Sequence, residues 1–217
     1  METIAEMFNY TFMIRALIVG GLVSFCASLL GVPLVLKKYS MIGDGLSHVG
    51  FGALAIATAM NAAPMKIAIP VVVLAAIVLL RVSENSKLKG DAAIAVISIG
   101  ALALGVVIMS FGKGSNIDIY NYMFGSILAL SSSDVLISVI LSVVVIIMYV
   151  LFYVKIFAVT FDESFSKATG IKTGIYNTLM AILTALTIVL GMRLMGSLLI
   201  SALIIFPALS SMRVFKS

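Results

Sequence analysis

The chain has 217 residues, 62% of them hydrophobic and only 11% charged, with a net charge of +5. A mean hydropathy of +1.24 requires an apolar surface as well as an apolar core, which excludes a water-soluble globule and describes an all-α, polytopic membrane protein forming one domain over residues 1–217. The basic residues stand at the ends of apolar runs, where lipid headgroups and membrane insertion account for them, so the positive charge does not signal nucleic acid.

Glu2 and Glu6 occupy the region that a signal peptide would make basic, and the apolar run after them is too long for one. The first predicted span, residues 12–36, is therefore expected to remain as a membrane segment, ending at Lys37 and Lys38. Its Cys26, the single cysteine, follows a bulky Phe25, which argues against lipid attachment and for a small buried hydrophobe. A second span runs from the Asp44/His48 stretch to about residue 60, a third covers 66–80 and stops at Arg81, and a fourth covers 92–111. Residues 112–133 mix Gly, Ser, Asn, Asp and Tyr with short apolar pieces, so 120–130 is expected to be a short interfacial or re-entrant helix. A fifth span covers 135–154. The sixth and seventh cover 175–190 and 195–210, with a brief turn expected at Met192 and Arg193. The expected total is about seven spans.

Loop charges give the orientation. With the first loop cytoplasmic, the inner set is Lys37, Lys38, Arg81, Lys87, Lys89, Lys155, Lys167, Lys172, Arg213 and Lys216, against Arg15, Lys66, Lys113 and Arg193 outside. Ten against four places the N-terminus outside.

Residues 39–52 carry the candidate chemistry. Asp44 and His48, the only histidine, are four residues apart, so a helix stacks them on one face. Gly43, Gly45, Gly50 and Gly52 surround them and allow a second helix to come close. A carboxylate and an imidazole can ligate a divalent cation, but Zn2+ normally takes about four ligands. Two copies about a two-fold axis would supply two Asp and two His, a set acceptable to Zn2+, Mn2+ or Fe2+. The competing structural reading makes Asp44 a helix cap and His48 a partner for a neighbour.

Residues 112–115 contain a Gly-Lys pair but fail the phosphate-loop pattern, so ATP use must belong to a partner chain. The 160–174 loop holds Asp162, Glu163, Ser164, Phe165, Ala168 and Gly170, which reads as a short helix with acidic residues at its start and glycine at its end. It is either a docking element for such a partner or an ordinary connection.

Residues 41–48, Met-Ile-Gly-Asp-Gly-Leu-Ser-His, resemble the signature of the ABC-3 family, the permease subunits of bacterial zinc, manganese and iron ABC importers. Residues 122–128, 162–171 and 196–208 resemble further family motifs in the same order. The resemblance implies a type II ABC importer permease fold in the bacterial inner membrane and a divalent metal ion as substrate. It further implies a second permease chain forming a homodimer, cytoplasmic ABC ATPase subunits and an extracytoplasmic metal-binding delivery protein. By similarity, Asp44 and His48 lie on the metal pathway, and Asp162, Glu163, Ser164, Phe165, Ala168 and Gly170 form the helix that couples to the ATPase. Family members usually continue past the 196–208 motif with further membrane segments, which this sequence is expected to lack.

Two other classes are weighed against this. A proton-coupled secondary metal transporter would use Asp44 and His48 as a proton relay. An intramembrane aspartyl protease is suggested by Gly43-Asp44, but Met41 stands where its motif has glycine and no second aspartate lies in a predicted span.

Overall fold

The computed structural model describes residues 10–85, 90–111, 116–126, 128 and 130–215. Lys87, Lys89, Lys113 and Lys216, and the Gly-Lys pair within 112–115, lie outside the described residues. Among the described residues there are eight helices and no strand: α1 (Thr11–Leu36), α2 (Ser40–Ala59), α3 (Pro64–Asn85), α4 (Gly90–Phe111), α5 (Asn116–Phe124), α6 (Ser132–Phe161), α7 (Glu163–Ala168) and α8 (Thr173–Val214). Five of them, α1, α3, α4, α6 and α8, contain stretches long and apolar enough to cross a membrane.

Helix α8 supplies two of the crossings. At Gly196 the backbone leaves helical geometry, with φ 82° and ψ 163°, a left-handed region open mainly to glycine. The chain folds back there. A Cβ on Gly191 would lie 2.3 Å from the Ile200 side chain, nine positions later, which a continuous helix would hold about 13 Å away. Helix α1 runs beside both limbs: Lys37 reaches Asn177 and Gly20 faces Leu194 on the first, while Gly31 faces Ile204 and Ala208 on the second. The turn expected at Met192 and Arg193 therefore falls at Gly196. Those two residues stay helical, because a charged residue in an apolar run marks a change of environment whereas the backbone breaks where glycine permits it.

Among the described residues, α2 and the two limbs of α8, added to the other four long apolar helices, give seven segments of about spanning length, the number expected. Helix α2 is the most polar of them, and at 20 residues it is about 30 Å long, enough to span. It tolerates Asp44 and His48 because protein surrounds most of it, with α3, α4 and α8 packed around it. Glycines make this possible. A Cβ on Gly52 would lie 2.9 Å from the Ala101 carbonyl oxygen, and one on Gly105 would lie 3.0 Å from the Gly52 Cα, so α2 and α4 meet backbone to backbone. The Gly50 gap is filled by the Met192 thioether.

Several boundaries differ from the sequence expectation. Helix α3 runs through Arg81 to Asn85, and α6 passes Val154 to end at Phe161. In both cases the charged residue, Arg81 or Lys155, extends from a helix that continues beyond the apolar layer. The short helix expected over 120–130 is α5, which has nine residues, ends at Phe124 and is too short to cross. Gly125, at φ 80°, stops it.

Candidate metal site and the Lys37 network

Asp44 and His48 lie in the second and third turns of α2, which starts at Ser40. Asp44 therefore does not cap the helix; Tyr39 holds that position without a side-chain capping bond. His48 Nε2 stands 3.5 Å from Asp44 Oδ2, with the histidine side chain 15% exposed and the aspartate 45%. Two ligand atoms bound to one tetrahedral cation at about 2.1 Å each are about 3.4 Å apart, so the pair is already spaced as two corners of such a site. His48 Nδ1 is buried without a hydrogen-bond partner. Among the described residues no group of three or more His, Cys, Asp or Glu side chains gathers around a possible ion, so this chain offers two ligands here.

Two serines missed by sequence reasoning support the pair. Ser47 Oγ donates to the Asp44 carbonyl oxygen at 2.7 Å, and Ser201 Oγ, on the second limb of α8, donates to Ser47 Oγ at 3.0 Å. Ser201 Oγ also lies 3.3 Å from the Ser197 carbonyl oxygen, one turn earlier on the same limb. Their residue type carried no signal, since serines are common in close-packed membrane helices, but Ser47 falls within the 41–48 motif and Ser201 within the 196–208 motif.

The six residues of the 160–174 loop form a second unit, at the end of the α8 first limb away from Gly196. Asp162 caps α7, accepting from the Phe165 backbone N–H at 2.8 Å. Gly170, at φ 84°, ends the turn that follows α7. Ser164, Phe165, Ala168 and Gly170 are exposed, Phe165 to 64%. Glu163 pairs with Lys37 of the bundle at 2.9 Å and with the exposed Lys167, one turn along α7, at 2.9 Å. Burial raises the Glu163 pKa, but the hydrogen bonds and charges of Lys167 and Lys37 outweigh it and hold the carboxyl at about 2.

This ion pair opens into a wider network. Lys37 also donates to Asn177 Oδ1, Asn177 Nδ2 donates to Glu84 at 3.0 Å, and the Tyr39 hydroxyl donates to Glu84 at 3.4 Å. Burial and then the Glu84 charge push the Tyr39 hydroxyl pKa upward. The sequence had assigned Lys37 only to the inner positive set. Its two direct partners are 126 and 140 residues away, and Glu84 is reached only through Asn177, so no local pattern reveals them.

This is a polytopic helical membrane protein whose helix α2 carries an aspartate and a histidine 3.5 Å apart. The sequence matches the ABC 3 transport family over residues 9–217, and the chain belongs to that family. It is 30% identical over 216 residues to the manganese import system permease protein ScaB of Streptococcus gordonii, covering 100% of this chain and 77% of that protein. It is 28% identical over 202 residues to the high-affinity zinc uptake system membrane protein ZnuB of Haemophilus influenzae, covering 93% and 77%. The match to the manganese transport system membrane protein MntC of Halalkalibacterium halodurans, 28% identical over 134 residues, covers 46% of that protein. Among solved structures, PsaBC from Streptococcus pneumoniae in complex with Fab superposes with a TM-score of 0.85 at 30% identity, covering 99% of this chain and 78% of the other.

Proposed function

We propose that the chain is the membrane-spanning permease of an ATP-driven importer of divalent transition-metal ions, working as a homodimer in the bacterial inner membrane. The observation that carries this reading is the Asp44–His48 pair, at 3.5 Å, on the helix that protein surrounds most completely. The half-exposed Asp44 carboxylate leaves room for a second copy to bring the same two ligands, completing a four-ligand nitrogen and oxygen set. The relatives named for manganese and zinc support this choice of substrate.

In the proposed cycle a metal-binding delivery protein docks at the outer end. A cytoplasmic ABC ATPase binds each α7 through the exposed face of Ser164, Phe165, Ala168 and Gly170. ATP binding and hydrolysis there open the path between the two permeases first outward, then inward. This chain hydrolyses nothing itself. Weak ligation by four side chains drawn from two moving subunits suits passage better than a closed cage would.

The test is uptake of Zn2+, Mn2+ and Fe2+ into proteoliposomes holding the permease with its ATPase and delivery protein. Accumulation that needs ATP hydrolysis is expected. Accumulation driven by a proton gradient alone would replace the proposal with a proton-coupled transporter using Asp44 and His48 as relay.

A further inference from the structure

We propose that Lys37 is a positioning residue that makes α7 and the inner end of α2 move as one unit, so that a displacement of α7 reaches Asp44 through the α1–α2 turn. The inference rests on the importer reading above.

The Lys37 side chain is only 5% exposed, and its ammonium is held by Glu163 at 2.9 Å and by Asn177. An ammonium this buried requires its partners, because separating it from them leaves an unpaired charge away from water. Motion of α7, which begins at Glu163, must therefore either carry Lys37 along or strand it. Asn177 extends the tie through its amide to Glu84 at the end of α3, at 3.0 Å, and Glu84 accepts from Tyr39 at 3.4 Å. The turn itself is stiff. Lys38 is held at φ 59°, a left-handed geometry uncommon for a side-chain-bearing residue. Tyr39 N–H donates back to the Leu34 carbonyl at 2.8 Å, and Ile42 N–H donates to the Tyr39 carbonyl at 2.9 Å. Only Lys37, Lys38 and Tyr39 separate α1 from α2, and Asp44 follows on the second turn of α2. The link from Glu163 to Asp44 is thus one ion pair, one tight turn and one turn of helix, with no flexible segment between.

This differs from a docking role, because Lys37 is buried inside the bundle and presents nothing to a partner. It also differs from ligation, because Lys37 carries no free electron pair when charged.

The experiment uses the permease assembled with its ATPase and delivery protein in proteoliposomes, and reads metal ions accumulated per ATP hydrolysed. Lys37→Met removes the charge while keeping the stem. It is expected to leave ATP hydrolysis within about two-fold of wild type while uptake per ATP falls at least about ten-fold. The double variant Lys37→Met with Glu163→Met removes both charges, so its melting temperature should return toward wild type while uptake per ATP stays low. A purely structural ion pair would instead recover both together. Lys37→Met that imports with wild-type stoichiometry overturns the proposal, as does a double variant that recovers both stability and uptake. A wild-type assembly that imports no metal on ATP overturns the importer reading itself, and the proposal with it.

Discussion

Gly125 and Gly196 meet backbone to backbone, each in the left-handed region at φ 80° and 82°. A Cβ on either one would lie 2.6 Å from the amide nitrogen of the other. The first ends α5 and the second folds α8 back on itself, so two chain reversals lock together at one point. Ser126 N–H, donating to the Arg193 carbonyl at 3.4 Å, adds a backbone bond across the same contact.

Alanine at either glycine should therefore destabilise the permease by more than the left-handed penalty of about 1–2 kcal/mol, because the added methyl also meets backbone that cannot yield. Thermal melting of the purified protein in detergent checks this. Gly174→Ala, at a helical position with nothing within 4 Å of the added carbon, is the control. It should be neutral or stabilising by up to about 1 kcal/mol. Equal melts for Gly196→Ala and Gly174→Ala would remove the glycine pair from the fold's requirements.

Beside this contact, Arg193 on α8 pairs with Asp134 at 2.8 Å, their side chains 12% and 11% exposed. Asp134 is itself held by the capping box it makes with Ser131 at the start of α6. Removing one charge should cost about 3–5 kcal/mol by stranding the other. Arg193→Met combined with Asp134→Leu should cost less than the two single changes added together, and a double-mutant cycle on the melting free energies measures the difference. Strict additivity would show that the two side chains do not support each other.

Much of this fold was legible because membrane spans announce themselves by length and hydropathy. The seven crossings, the short α5 and the capped α7 all follow from apolar run length, polar mixtures and the Asp162 to Gly170 pattern. Boundaries at Arg81 and Val154 were misjudged because a helix can carry a charged residue past the apolar layer without ending. The Gly196 reversal was misplaced because Arg193, the nearby charge, looked like the turn, while the glycine that permits left-handed backbone stood three residues on. At the site, Asp44 and His48 were visible as a helical i, i+4 pair in an apolar context. Ser201 and the Lys37 network were not, because their contacts join residues from 45 to 154 positions apart. Such pairs are made by packing, and a single sequence does not encode them locally.

Asp44 and His48 should be needed for metal passage and dispensable for assembly. Alanine at either position is expected to abolish metal uptake while the ATPase still co-purifies with the permease. Ser201→Ala should have an intermediate effect. It removes a hydroxyl that bonds Ser47 beside the proposed ligand pair, and changes behind a metal ligand weaken metal affinity by about 10–100-fold. The apparent KM for metal in the proteoliposome assay reads this directly, and an unchanged value would leave Ser201 as packing alone.

The attachment of α7 should be steady through neutral pH and fail only in acid. The Glu163 carboxyl, lowered from 4.5 to about 2, favours the anchored state while it is ionised. Its contribution is complete above about pH 4.5, where the carboxyl would be ionised even in the detached state, and it is lost as pH falls through about 2. The carboxylate is about a third exposed, so solvent screening limits the size of the effect but not its sign. A spin label on Ala168→Cys reports the motion of α7, and Cys26, being buried, leaves that site as the accessible thiol. Label mobility should stay constant from pH 8 to 5 and rise below about 4.5. Glu163→Gln, which cannot ionise, should show greater mobility at pH 7 and little further change on acidification. A wild-type label that loosens between pH 8 and 6 would place the controlling group elsewhere than Glu163.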